Sequence, residues 1–162
     1  MLRRALVPGF AAALLSLGAA PPSLRIAKWP PWLSIEFPVN PMDSASRGVA
    51  FYVRTMLRDG VSTLEDMSGT ADGIVGGVHR SMPLEFATTN RPGVYSVRRS
   101  WPTDGTWVLR VSVKTTTALV ALDRNGNVGS VRIPMEHMPG GTLPRAISQR
   151  EVDSTLTELS KR

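Results

Sequence analysis

The chain of 162 residues has no cysteine, three lysines, two histidines and few aromatic residues, 6% in all. Without cysteine there are no disulfides, no thiolate metal sites, no thiol nucleophile and no lipid-modified N-terminal cysteine. With histidine confined to His79 and His137, a hydrolytic triad has only these two as base, and no Gly-x-Ser-x-Gly elbow accompanies them. The glycine-rich stretch 69–77 lacks the Lys-Ser/Thr ending of a phosphate-cradling loop. Acids for glycoside chemistry would have to come from Glu65, Asp66 and Asp72, which read as solvated turn residues. The reading is therefore non-enzymatic, with a hydrolase the remote alternative.

What is present describes one ordinary soluble domain: hydrophobic content is 42%, charged content 20%, with 14 glycines and 13 prolines that turn the chain often. Met1-Leu2-Arg3-Arg4 followed by an apolar run from Ala5 to Leu17 and the small residues Gly18-Ala19-Ala20 reads as a signal peptide over 1–20. The run falls short of the ~20 residues needed to span a bilayer, so no transmembrane anchor is expected after cleavage. Removing it takes away Arg3 and Arg4, and the net charge falls from +6 to +4. Export and the absence of long Lys/Arg runs argue against nucleic acid and leave an envelope protein or an anionic polymer as partner. Neither the identity of that partner nor the oligomeric state is written in the sequence.

Residues 21–31 form a proline-rich lead-in, and alternation begins at Trp32, with Leu33, Ile35 and Phe37 on one face. Residues 48–57 alternate again. Residues 62–77 read as short bulged strands or an open loop around their glycines, and 78–86 as one strand. The runs 94–99 and 106–114 read as a hairpin around Ser100–Gly105, and a second hairpin turns at Asn125-Gly126. Residues 134–141 read as a loop by composition. Ser148 and Glu151 have capping-box spacing, and Val152, Leu156 and Leu159 recur at helical period. Seven to nine short strands and one helix predict an all-β, immunoglobulin-like antiparallel β-sandwich over 32–133, with an extra β-hairpin and a loop and short C-terminal helix over 134–162. A closed barrel is the alternative. Trp107, Tyr95 and Phe51 are its expected core anchors.

The sequence Gly93-Val94-Tyr95, followed by Trp101-Pro102-Thr103-Asp104-Gly105-Thr106-Trp107, resembles the C-terminal hairpin of exported bacterial immunoglobulin-like domains of the YtkA/FixH-like kind. The resemblance covers residues 32–114 and implies a sandwich in which the Tyr95 hydroxyl bonds a backbone group, as a tyrosine corner does. FixH-like members carry a transmembrane helix that is not seen here, and the hairpin at Asn125-Gly126 and the terminal helix extend past the usual domain end. The family's loose link to metal handling implies copper, although the N-terminal histidine of copper-carrier sandwiches is missing.

Copper chemistry wants soft ligands, and Met135, His137 and Met138 fall within four residues, with His79 and Met82 a sparser pair. The main reading has no cofactor and leaves Met82 in the core and the others as exposed filler. Among the tryptophans, Trp29, Trp32, Trp101 and Trp107, the expected ligand contact is Trp101 beside Arg98 and Arg99, because aromatic–arginine pairs are favoured in recognition. The commoner outcome for such a loop tryptophan, however, is to fold back and cap one end of the sandwich.

Overall fold

The computed structural model describes residues 29–57 and 59–161. The expected signal peptide and most of the proline-rich lead-in lie outside the described residues. In chain order the elements are β1 (Trp32–Glu36), a single 3₁₀ turn (Ser44–Ser46), β2 (Val49–Met56), β3 (Met67–Val75), β4 (Val78–Pro83), β5 (Phe86–Thr88) and β6 (Val94–Arg98). There follow β7 (Thr106–Val113), β8 (Thr116–Leu122), β9 (Val128–Arg132), β10 (Met135–Met138), β11 (Gly141–Pro144) and α1 (Gln149–Ser160).

Two antiparallel sheets form the sandwich, one in the order β1-β2-β6-β5 and the other β4-β3-β7-β8-β9. Labelled by their order in the chain, the first eight strands give A-B-E-D facing C′-C-F-G, the immunoglobulin-like arrangement, with β9 added beyond the last strand. The sheets do not close into a barrel. Alternation buries Leu33, Phe51, Val53 and Val97 from one sheet against Ala71, Trp107, Leu109, Val111 and Val120 from the other. Each of the valine, leucine and phenylalanine side chains so withdrawn from water stabilises the fold by roughly 1.5–3 kcal/mol. Phe51 and Trp107 take the anchoring places expected of them. Trp107 also satisfies its indole by donating to the Asp104 carbonyl at 2.8 Å.

Several local expectations are corrected. The stretch 62–77 is mostly one long central strand, β3, paired on both sides by β4 and β7. Its glycines are there for packing: a Cβ on Gly73 would strike the Trp107 ring, and one on Gly69 would stand 2.5 Å from the Arg110 carbonyl oxygen of the paired strand β7. The expected strand 78–86 divides, because the chain passes from one sheet to the other at Leu84-Glu85. The expected hairpin of 94–99 and 106–114 is a crossover as well, since β6 and β7 belong to different sheets. Phe37 does not share the inward face of Leu33 and Ile35; β1 ends at Glu36 and leaves it 42% exposed.

Tyr95 is buried, and its hydroxyl donates to the Glu65 carbonyl at 2.8 Å while accepting from the Glu65 amide at 3.0 Å. The bond to backbone is the expected one. It is made from the E-position strand and pins the β2–β3 connection. The hairpin β8–β9 forms as expected: Gly126 takes φ +74°, and Asp123 Oδ1 accepts the amides of Asn125 and Asn127 at 2.9 Å each.

Residues 135–144, expected as a loop, form a separate two-stranded ribbon, β10–β11. Beyond it, Ser148 and Glu151 make the expected capping box of α1. Glu151 also pairs with Arg145 at 2.7 Å. The Arg145 hydrogen bond, with further bonds from Ser148, brings the Glu151 carboxyl down to about 2. Val152 and Leu156 are fully buried against Val108, Leu119 and Ile147, so α1 covers the outer face of the five-stranded sheet.

Candidate functional site

The outer face of the four-stranded sheet has no such cover. Its strand register aligns Glu36, Tyr52, Ser96 and Ala87 in one row across β1, β2, β6 and β5. Alternation fixes them there, because Leu33, Phe51, Val53 and Val97 take the inward positions. The 3₁₀ turn and the 89–93 loop rise on either side of this row, and together they enclose a groove of about 790 Å³.

The groove is an ordered polar surface. Glu36 accepts Arg54 Nε at 2.7 Å on one carboxylate oxygen and Arg91 Nη2 at 2.9 Å on the other. Partial burial pushes the Glu36 carboxyl up, but the hydrogen bonds from Arg54 and Arg91 outweigh it and hold it below its ordinary value. Held in this way, the Arg91 guanidinium lies 5.0 Å from the centroid of the Tyr52 ring, a cation–π distance. The Tyr52 hydroxyl and Ser46 Oγ share a hydrogen bond of 2.9 Å, and Ser46 in turn donates to Asp43 at 3.4 Å. Arg98 lines the same groove and is exposed.

Of the three residues expected to form a ligand contact, only Arg98 lies in this groove. Trp101 is not an exposed contact: it is 3% exposed and belongs to the core cluster, so the capping alternative describes its position. The hydrophobic ring is withdrawn because the β6–β7 connection crosses between the sheets and carries Trp101 over their open end. Arg99 and Trp101 line a second, smaller cavity there, of about 370 Å³. Adjacent in sequence, Arg98 and Arg99 thus serve different cavities.

The ligands named for the alternative copper reading do not converge. Met135 and His137 stand on one face of β10 and Met138 on the other, because successive strand residues alternate. His137 is near Thr142 at 3.4 Å, and both methionines are exposed. His79 lies in a shallow depression with Asp72, Ser81, Arg110, Gln149 and Asp153, while Met82 packs partly against the core. Among the described residues, no group of three or more His, Asp or Glu side chains is arranged to hold a metal ion. The acids considered for glycoside chemistry are dispersed: Glu65 pairs with Lys114 at 2.7 Å, and Asp72, expected to be solvated, is buried and accepts from Thr70 at 2.7 Å.

Sequence reasoning did not single out Glu36, Tyr52 and Arg91. A signal for Tyr52 was present, since it is an aromatic residue on the polar side of an alternating strand. Arg91, in the turn 90–93, carried none. No protein-family model, curated protein or solved structure matches this chain.

Proposed function

We propose that this protein is a non-enzymatic domain, exported to the cell envelope, that holds a partner protein in the groove on its uncovered sheet. One observation carries the reading. Tyr52 and Arg91 stack on each other inside a concave surface, and Glu36 fixes the arginine in place. Tyrosine and arginine are the residues that most often dominate binding energy at interfaces, and fixing them in advance lowers the entropy lost on docking. Arg98 adds an exposed positive charge suited to steering an acidic partner. Export rests on the N-terminal sequence, and no helix among the described residues is long and apolar enough to cross a membrane.

The test is crosslinking in intact cells that produce the full chain with a photoreactive amino acid at Arg98 or, as a control, at Arg132 on β9. A discrete protein adduct is expected from position 98 and not from 132, and it should disappear with Tyr52→Ala. The same adducts from both positions would overturn the proposal, and adducts to envelope polymer in place of protein would reassign the partner. Mass spectrometry of the envelope fraction checks export, which predicts a new N-terminus close to residue 20.

A further inference from the structure

We infer that the open end of the sandwich is a separate binding site for a small organic carboxylate with an apolar or aromatic body. The cavity of about 370 Å³ lies where the two sheets part, between the ends of β1, β6 and β8 and the starts of β2 and β9. Its size is at the small end of the range for ligand pockets, roughly 300–1,000 Å³. Phe37, Val39, Leu122 and Val128 supply apolar wall, Trp101 an indole ring and Arg99 a cation.

Three observations define the ligand. First, the charge is one-sided: no aspartate or glutamate lines the cavity, and among the described residues Arg99 has no ion-pair or hydrogen-bond partner. The carboxylate of Asp123, in the neighbouring turn, already accepts two backbone amides. Second, Trp101 is nine-tenths buried or more, and its Nε1–H is shut off from water without an acceptor. The indole ring, and not that N–H, is therefore the surface Trp101 offers to a ligand. Third, Arg99 is placed by the fold: its guanidinium occupies the space a Cβ on Gly126 would need, and Gly126 has the positive φ that the hairpin turn demands.

The one charged group on this apolar wall is thus a guanidinium, which only donates hydrogen bonds. A carboxylate matches Arg99 with paired hydrogen bonds, and an apolar body matches Phe37, Trp101 and Val128. A phosphate dianion would keep a charge that one arginine leaves uncompensated beside apolar wall, and a neutral ligand would forgo the charge-assisted hydrogen bonds that Arg99 offers. This site is distinct from the groove on the sheet face and does not depend on the function proposed for it.

The experiment is a titration of the isotopically labelled protein with phenylacetate, followed through the indole N–H signals of its tryptophans after through-bond assignment. The Trp101 signal is expected to move saturably at millimolar ligand. The Trp107 signal, whose N–H is already bonded to Asp104, should stay in place. Phenylacetamide, of the same shape without the charge, and inorganic phosphate, charged without the apolar body, should each leave Trp101 unmoved. Arg99→Gln, an exposed substitution whose spectrum also reports folding, should weaken phenylacetate binding about tenfold or more, the loss expected for a charge-assisted hydrogen bond. No movement of Trp101, equal movement with phenylacetamide or phosphate, or unchanged binding in folded Arg99→Gln would each overturn the proposal.

Discussion

The two outer faces of this sandwich are built from the same alternating strands and put to opposite use. On the five-stranded sheet the outward positions include Val108 and Leu119, and Val152 and Leu156 of α1 seal them. On the four-stranded sheet the outward row is Glu36, Tyr52 and Ser96, flanked by Arg54, Arg91 and Arg98, and the helix packs on the other sheet, leaving this row bordered only by the 3₁₀ turn and the Arg91 loop. An apolar outer face calls for a cover, and the helix supplies it from within the chain. A polar, preorganised face can remain open to another molecule.

The largest effects should come from breaking the covered side and the layer beneath it. Trp107→Ala, between the sheets, is expected to lower stability by about 3–5 kcal/mol, and Leu156→Ala under the helix by about 2–5 kcal/mol. Urea unfolding followed by both tryptophan fluorescence and helical circular dichroism checks this. Coincident transitions would show the helix to be part of one cooperative unit, whereas an early helical transition in Leu156→Ala would make it a detachable cover. Next in size is Ser148→Ala, which removes one half of the capping box and should lower stability by about 1 kcal/mol.

Acid separates the faces by a different route. The Glu151 carboxyl lies at about 2 in the folded chain, against 4.5 ordinarily, so its contribution is complete above 4.5 and is lost as pH falls toward 2. Glu151→Gln should therefore flatten the acid limb of a stability-versus-pH curve. Glu36 is displaced in the same direction. Its protonation, on descent through its folded value, should release Arg54 and Arg91 and weaken crosslinking at position 98.

The smallest effect on stability belongs to the open face. Arg91→Ala removes a half-exposed ion pair worth about 0.2–1 kcal/mol, yet it should abolish the adduct at position 98. A large loss of stability with the adduct retained would mean that the groove is scaffold and not a docking surface.

Legibility followed the range of the interaction that fixes each element. The turn at Asn125-Gly126 and the Ser148–Glu151 capping box close within five residues, and both were readable. β1 and β2 were readable because alternation against a core is a local pattern. β3 was not, because Gly69 and Gly73 look like breakers until the Arg110 carbonyl and the Trp107 ring are seen to occupy the space they leave. The ribbon β10–β11 was missed because its strands are short and exposed and carry no apolar alternation. Among the candidate site residues, Arg98, Arg99 and Trp101 were legible as a cluster, but their division between two cavities was not.

The sequence by itself determined that this chain is an all-β domain with a capped C-terminal helix, since period-two alternation, turn residues and cap spacing act over a few residues and leave their mark in order, while two open sheets in place of a closed barrel were decided by the fold. Only the tertiary structure decided which sheet each strand joins, which outer face the helix covers, and that Trp101 closes one end while Tyr52 and Arg91 stand open on the other sheet. Those outcomes depend on contacts between residues far apart in the chain. The same loop composition serves a hairpin within one sheet or a crossover between two.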